Sequence, residues 1–263
     1  MHEASMHKEN TLVTLTYNNE HLPKDGTLLI EDVQAFIKKV RKSYPKVKLK
    51  YFGCGEYGEK KARPHYHLIL FGMEFEDKVY YKHRTPKSRF SNVTEPYPVW
   101  RSPTLDKLWN KGRTEIGTVN FKSAAYLARY VLEKVNGEGK EEHYKRYECD
   151  QHGEIIREYE LKPEFGIMSR RPGIGAAWFE KYINDCRKGF ITLDGQKVTL
   201  PRYYRKLLEK SDEAAAKADK RTRKSKLLAL KKADELSPRR MRDKELIKKQ
   251  QIQSLKRGNL CDS

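Results

Sequence analysis

Short stretches in which apolar and polar residues alternate recur along the first two hundred residues of the chain. Because successive side chains of a β-strand point to opposite faces, this alternation predicts strands. The predicted strands are 10–17 (NTLVTLTY), 46–58, 64–72 (PHYHLILFG) and, more briefly, 117–121. Residues 190–200 (FITLDGQKVTL) predict a hairpin, since Asp194-Gly195 is a type I′ turn signal.

Apolar residues spaced three and four apart predict helices between these strands. In residues 30–44 the pattern is amphipathic, and Pro45 ends it. Residues 123–135 (SAAYLARYVLEKV) predict a second helix with Ser123 as its N-cap, and the sequence AAWFEKYIND after the loop RRPGIG predicts a third. Residues 73–116 show no sustained period and predict no element.

The pattern changes after Pro201. Aromatic residues stop at Tyr204, and residues 205–263 hold 19 Lys and Arg against 9 Asp and Glu, a net +10 of the chain's +19. We therefore predict a folded domain over residues 1–204 and a basic C-terminal tail over 205–263, helical or partly disordered. A solvated linker with no specific role is the alternative.

The formal charge of +19 on 263 residues favours a polyanionic partner, most often nucleic acid. No apolar run approaches the roughly 20 residues of a membrane helix, so no membrane association is expected. The N-terminus lacks the apolar core of a signal peptide. The four cysteines, Cys54, Cys149, Cys186 and Cys261, are scattered without a CxxC pair, which favours reduced thiols in a cytosol.

The strand RPHYHLILFG carries two histidines, His65 and His67, that project from one face. Glu56 lies on the preceding predicted strand, and the polar turn between them would fold it back beside the imidazoles. Together the three offer mixed nitrogen and oxygen ligands with open positions for water or substrate. The register leaves the third ligand open, with Glu59 or a Gln or Asp elsewhere as alternatives. Two partly exposed histidines at a strand start are the simpler interpretation.

Tyr126 and Tyr130 stand four residues apart in the predicted helix, so both hydroxyls face one side. Arg129 and Lys134 lie near that face, and Lys134 is four residues past Tyr130, so its ammonium can approach the second ring. A tyrosine becomes an effective nucleophile toward a phosphodiester when a metal polarises the phosphate. The alternative is that both tyrosines are core residues of an amphipathic helix.

Other basic and aromatic segments allow two interpretations each. The Lys- and Arg-rich residues 38–50 fit a phosphate-tracking surface or a solvated helix face. Tyr97, Trp100 and Trp109 fit stacking on single-stranded bases or packing in loops. The loop RRPGIG fits phosphate binding by backbone amides or a plain helix entry.

The combination of a His-hydrophobic-His strand and a later YxxxY helix on a basic chain resembles the HUH endonuclease superfamily. Within it, four segments are similar to replication-initiation proteins of gokushovirus-type (Microviridae) single-stranded DNA phages. These segments are TLTYNNEHLP (14–23), PHYHLILFG (64–72), AAYLARYVLEK (124–134) and MSRRPGIG (168–175). The resemblance covers residues 10–205 in motif order.

The resemblance implies an α+β fold: an antiparallel sheet of about five strands, ferredoxin- or RRM-like, with flanking helices. The histidines would occupy the open face of the sheet, with the tyrosine helix against it. His65 and His67 match the metal-binding pair, Tyr126 and Tyr130 match the nucleophiles, and Lys134 or Arg129 would steady the phosphate. Glu56 is the expected third ligand because of its place on the neighbouring strand. The expected ion is Mg²⁺ or Mn²⁺, although the histidines also suit zinc.

The implied activity is a metal-dependent nicking and rejoining of DNA through a 5′-phosphotyrosine, which starts and ends rolling-circle replication. Implied partners are the origin of the double-stranded replicative form, single-stranded DNA, and a host helicase and replicative polymerase, in the cytoplasm of an infected bacterium. Relatives often carry a cysteine-containing segment before the first motif, so we expect a truncated or internally initiated start.

Two alternatives remain. A non-catalytic basic protein that binds or packages single-stranded DNA would explain the charge but not the pairing of HYH with YxxxY. A transposase or conjugative relaxase of the same superfamily is disfavoured by the two tyrosines and by the lack of a large accessory domain.

Overall fold

A computed structural model describes residues 1–58, 62–84, 96–130, 137, 139–193 and 195–254. Its main element is a seven-stranded antiparallel sheet. The seven strands are β1 (Asn10–Thr16), β2 (Lys50–Tyr57), β3 (Pro64–Phe71), β4 (Val79–Arg84), β5 (Tyr97–Arg101), β6 (Thr114–Thr118) and β9 (Phe165–Met168). Across the sheet they follow the order β4-β5-β6-β1-β3-β2-β9.

Two separate hairpins and a set of helices complete the described part of the chain. The hairpins are β7 (Lys145–Cys149) with β8 (Ile155–Glu160), and β10 (Phe190–Leu193) with β11 (Gln196–Thr199). The helices are α1 (Ile30–Ser43), α2 (Pro103–Trp109), α3 (Phe121–Tyr130), α4 (Lys140–Tyr144), α5 (Ala176–Lys181), α6 (Ile183–Arg187), α7 (Arg202–Ser211), α8 (Glu213–Lys232) and α9 (Pro238–Ser254).

Helices cover both faces of the sheet at its centre. On one face α1 and α2 bury the largest apolar cluster, in which Val33, Phe36 and Trp109 pack against Val13 and Leu68. On the other face α3 closes a smaller cluster. All eight residues of β3 are buried, since β3 lies at the centre of the sheet. The histidine strand is therefore held by packing on both sides.

The expected α+β fold with an antiparallel sheet and flanking helices is confirmed, but the sheet has more strands than the five expected. β4 and β5 come from residues 73–116, where the sequence shows no period, and β4 is largely exposed at the edge of the sheet. The strand predicted over 117–121 instead spans Thr114–Thr118.

The start of α3 differs slightly from the prediction. The helix begins at Phe121, and the Asn120 side chain accepts a hydrogen bond from the Ser123 amide at 2.9 Å. Asn120, not Ser123, therefore caps the helix, and this cap ends the preceding strand earlier than its apolar pattern suggests.

A third apolar cluster joins α5, α6, the β10–β11 hairpin and α7 through Phe179, Ile191, Tyr204 and Leu208. The expected hairpin is confirmed, although its turn residue Asp194 lies outside the described residues. Because α7 spans Arg202–Ser211, the proposed boundary between residues 204 and 205 falls within this helix.

The described part of the tail is helical, in α7, α8 and α9. None of the helices described is long and apolar enough to cross a bilayer. Within the same residues no disulfide forms, and Cys261 lies outside them.

Candidate active site

The register of the central strands brings the predicted metal ligands onto one face. In the β2–β3 ladder Glu56 pairs with His65 and Cys54 pairs with His67, while in the β1–β3 ladder Thr14 pairs with His67. Directly opposed residues of a sheet project to the same side. The pairing of β2 with β3 thus places Glu56 beside the histidines, as the sequence predicts.

His67 is held by hydrogen bonds at both of its ring nitrogens. It is fully buried; its Nε2 lies 2.7 Å from Glu56 Oε1, and its Nδ1 lies 3.0 Å from Thr14 Oγ1. A carboxylate only accepts hydrogen bonds, so Nε2–H donates to Glu56 and Nδ1 accepts from the Thr14 hydroxyl. These two contacts fix both the orientation and the tautomer of the ring.

His65 is oriented by the turn that precedes it. Its Nδ1 donates to the Arg63 carbonyl oxygen at 2.6 Å, which leaves the lone pair of the neutral ring on Nε2. A backbone carbonyl on the second ring nitrogen is the usual outer-shell arrangement of a metal-binding histidine. His65 and Glu56 are both buried, with 8% and 4% of their surfaces exposed.

Among the described residues, no group of three His, Cys, Asp or Glu side chains is arranged to hold a metal ion. Two observations nevertheless suit a divalent ion at Glu56 and His67. Glu56 Oε2 is buried and has no hydrogen-bond partner, which costs free energy unless a cation or donor reaches it. The 2.7 Å between His67 Nε2 and Glu56 Oε1 also suits two ligands that share an ion with bonds of about 2.1 Å.

Tyr126 lies directly over this group. Helix α3 packs on the histidine face, and the ring of Tyr126 meets the ring of His67 edge to face, with centroids 5.9 Å apart and an interplanar angle of 83°. Tyr126 and its neighbour Leu127 are both buried against the sheet. The structure therefore brings Tyr126 of α3 onto His67 and Glu56, which lie about sixty to seventy residues earlier on the neighbouring strands β3 and β2.

The other predicted site residues are placed less completely. Tyr130 ends α3, and its side chain, like that of Arg129, is not among those described. Lys134 and Glu59 lie outside the described residues. The predictions for these four residues stay predictions.

A cation cluster that sequence analysis missed lies on the same face of the sheet. Glu115 of β6 pairs with Thr14 in the ladder and is contacted by Arg84 at 3.1 Å and Arg113 at 2.6 Å, with Lys82 at 4.0 Å. One carboxylate thus faces three cations. Since β6 is two strands from β3, this cluster begins about 10 Å from the histidine strand.

Tyr81 stands at the outer edge of this cluster. The guanidinium groups of Arg113 and Arg101 lie 5.4 and 5.7 Å from its ring centroid, and Lys82 lies 5.1 Å away. Tyr81 remains 43% exposed. No sequence motif indicates this cluster, because its residues come from β4, β5 and the region of β6, and the first two of these strands show no regular pattern of apolar residues.

Packing explains two further segments that the sequence left open. Trp109 is buried and its Nε1 donates to the Thr16 carbonyl, so it belongs to the core rather than to a base-stacking surface. In RRPGIG the Gly175 amide donates a hydrogen bond of 2.6 Å to the carboxylate of Glu3. The amide at the start of α5 therefore binds a side chain of the protein itself, which favours the plain helix entry over phosphate binding.

Comparison with known proteins shows which family the part of the chain that carries this arrangement resembles. Residues 10–135 match the model of a family described as replication-associated protein ORF2. This span contains Glu56, both histidines, Tyr126 and Tyr130. The resemblance to phage replication-initiation proteins is thereby confirmed.

Individual proteins similar to this chain come from phages and a virus. The chain is 31% identical over 219 residues to replication-associated protein VP4 of Bdellovibrio phage phiMH2K, covering 80% of this chain and 61% of that protein. It is 31% identical over 222 residues to replication-associated protein ORF4 of Chlamydia phage 1, covering 79% and 48%.

A third relative, replication-associated protein ORF2 of Spiroplasma virus 4, is 35% identical over 135 residues, covering 49% of this chain and 39% of that protein. The chain therefore spans between 39% and 61% of the length of these relatives. No solved structure matches it significantly.

Proposed function

We propose that this protein nicks and rejoins single-stranded DNA at a replication origin of a small circular phage genome, through a covalent phosphotyrosine. The observation that carries the proposal is the position of Tyr126, whose ring contacts His67 with centroids 5.9 Å apart, on the face that also holds Glu56 and His65. The family match and the phage relatives support a role in replication.

In the proposed reaction the Tyr126 oxygen bonds to the scissile phosphorus as the bond to the 3′ oxygen breaks. The phenol loses its proton to solvent, and the leaving 3′ oxygen takes one up. The products are a 5′-phosphotyrosyl protein and a free 3′-hydroxyl that can prime synthesis. A covalent intermediate conserves the energy of the phosphodiester, so the same site can later rejoin the ends.

A divalent ion, Mg²⁺ or Mn²⁺, held by His65, His67 and Glu56 would polarise the scissile phosphate and fix its orientation. The chain's own residues do the positioning. Thr14 and the Arg63 carbonyl hold the two imidazoles in place, and α3 presents Tyr126 to them. Tyr130 is the proposed second nucleophile, which cleaves the regenerated origin while Tyr126 still carries the first end.

The cation cluster around Glu115 supports a polyanionic substrate on this face. Three cations lie within 4.0 Å of this one carboxylate, and Tyr81 adds an exposed ring beside them. Cations that surround an exposed aromatic ring are the usual components of a single-strand surface. The proposed setting is the cytoplasm of an infected bacterium, with host helicase and polymerase extending the 3′ end.

The direct test is formation of a covalent adduct. The protein is incubated with Mn²⁺ and a pool of single-stranded oligonucleotides that carry a 3′ fluorophore and a randomised centre, and is then separated under denaturing conditions. Tyr126→Phe removes the nucleophile and should lower the labelled adduct at least a hundredfold. Tyr147→Phe on β7, where Tyr147 is exposed, is the matched control and should not change it.

Tyr130→Phe should retain the first adduct but lose rejoining over repeated cycles. An undiminished adduct in Tyr126→Phe would overturn the assignment of the nucleophile. DNA binding without any adduct, unaffected by EDTA and by the pair His65→Ala and His67→Ala, would instead support the non-catalytic DNA-binding alternative.

A further inference from the structure

Helix α8 carries an exposed row of positive charge that the proposed reaction does not use. Its twenty residues hold eight Lys and Arg against two acids, Glu213 and Asp219. Six of the cations fall within about 120° of the helix circumference at 100° per residue. These six, named the basic stripe, are Lys217, Lys220, Arg221, Lys224, Lys231 and Lys232, and all are exposed.

The basic stripe lies away from the face by which α8 packs on the molecule. Ala215 and Ala216 contact the third apolar cluster, and Asp219, only 8% exposed, lies 3.8 Å from Arg205 of α7 and binds Arg223 at 2.9 Å. The α8 residues of this packed face point about 100° to 160° away from the centre of the stripe. The orientation of the stripe toward solvent is therefore fixed by packing.

The charges of the stripe repel one another. Lys217 and Arg221, and likewise Lys220 and Lys224, are four residues apart, a spacing at which like charges destabilise a helix. Lys217 is paired with Glu213 at 2.8 Å, but none of the other five forms an ion pair with any residue in the described ranges. A bound polyanion would remove this repulsion.

We propose that the basic stripe binds the phosphate backbone of double-stranded DNA next to the origin, which deepens the proposed function and rests on it. The stripe is a rigid line of about 22 Å, since fifteen residue steps of 1.5 Å separate its two ends. No Phe, Tyr or Trp follows Tyr204. Single-strand binding relies on stacking rings, whereas phosphate contacts alone suffice for duplex DNA.

The exposed leucines of α8 do not compete for this role. Leu227, Leu228 and Leu230 are each exposed by 44% or more; Leu228 lies within the arc of the basic stripe, whereas Leu227 and Leu230 lie about 80° and 140° from its centre. The three leucines form no continuous apolar face for a partner helix, whereas the six cations of the stripe lie together on one side of α8.

The test measures binding of the full chain to a fluorescent duplex of about two helical turns, without any origin sequence, across a salt series. The stripe variant Lys220→Gln, Arg221→Gln, Lys224→Gln should weaken duplex binding at least tenfold. It should also reduce the slope of log affinity against log salt by about 2 to 3, near 0.9 for each cation removed. The control variant Lys206→Gln, Lys210→Gln, Lys226→Gln loses the same charge off the stripe and should change affinity less than twofold.

Binding to a single-stranded oligothymidine and adduct formation on single strands should stay unchanged in the stripe variant. The stripe variant should be at least as helical as the unaltered chain, because like-charge repulsion is relieved. Equal losses in both triple variants, or a loss confined to single strands, would overturn the proposal. Unchanged duplex affinity in the stripe variant would also overturn it, and self-association of the chain through the leucines would then be the alternative role of α8. If the protein forms no Tyr126 adduct but the stripe variant still loses duplex affinity, only the proposed nicking function is refuted.

Discussion

At the scale of single residues, the site depends on the Thr14 hydroxyl, which can either donate a hydrogen bond to His67 or accept one from it. Thr14 Oγ1 donates to His67 Nδ1 while Nε2–H binds Glu56, but a ring that ligates a metal through Nε2 must carry its proton on Nδ1. A hydroxyl both donates and accepts, so Thr14 can hold the ring in either state. Valine has the same shape and can do neither.

Thr14→Val should therefore weaken Mn²⁺ binding about 10- to 100-fold, the usual effect of losing an outer-shell partner. Isothermal titration of Mn²⁺ measures it. Thr118→Val, the same change at an exposed position at the end of β6, serves as the control, and Thr14→Ser should restore most of the affinity. An unchanged Mn²⁺ affinity in Thr14→Val would show that Thr14 does not position His67.

At the scale of elements, the close approach of β2 and β3 sets the distance between Glu56 and His67. Gly53 pairs with Leu68, and a Cβ at Gly53 would overlap the backbone carbonyl oxygen of His67. Backbone cannot yield as a flexible side chain can. The glycine is therefore required by the spacing of the two strands that carry the site.

Gly53→Ala should destabilise the fold by about 1–3 kcal/mol, as overpacking of a core does. It should also weaken Mn²⁺ binding, because it separates Glu56 from His67. Urea unfolding and metal titration measure the two effects. Gly117→Ala on β6 is the matched control: its Cβ meets only the Leu12 side chain, at 3.3 Å, and should cost less than about 1 kcal/mol. Equal effects of the two changes would contradict this role.

The elements also show what the sequence can predict. Alternation and helical spacing located β1, β3, α1 and α3, because each buries one regular face in a large core. β4 and β9 were missed, since an edge strand need bury little and its pairing is decided by distant residues. The cap of α3 was misplaced because Asn120 and Ser123 are both good N-cap residues within one turn.

In the candidate site, residues with a local sequence pattern were predictable, and residues joined only by long-range contacts were not. His65, His67 and Tyr126 carry local patterns, and Glu56 follows from the folding of one turn. Thr14 contacts His67 across 53 residues of sequence, and Glu115 binds Arg84 of the distant strand β4 as well as Arg113, which lies just before β6. Such contacts depend on register and strand order, which local periodicity does not contain.

At the scale of the whole molecule, one buried carboxylate joins the sheet to the helices that follow it. Glu3 is 1% exposed and binds His7 at 2.9 Å, Lys50 of β2 at 3.1 Å and the Gly175 amide before α5 at 2.6 Å. Burial alone would raise the pKa of Glu3, but these hydrogen bonds and the charge of Lys50 outweigh it and hold the pKa below its ordinary 4.5.

Because the folded pKa of Glu3 lies below the unfolded one, its contribution to stability is complete above pH 4.5 and is lost as the pH falls through the folded value. Glu3→Gln should lower the free energy of unfolding by about 1–3 kcal/mol at pH 7, by leaving buried donors poorly matched. The difference from the unaltered chain should shrink at pH 3. Urea unfolding at both pH values tests this, and a difference independent of pH would contradict it.

The complete burial of β3 bears on how this protein can diverge. None of the positions 64–71 faces water, so every substitution there must be accommodated by a packing neighbour on one side of the sheet or the other. Four of the six residues of the edge strand β4 and the outer surface of α8 are exposed and carry much less of this constraint. Packing therefore tolerates substitutions best on the surfaces proposed to contact DNA. The proposed DNA contacts can change in sequence while the buried site stays the same.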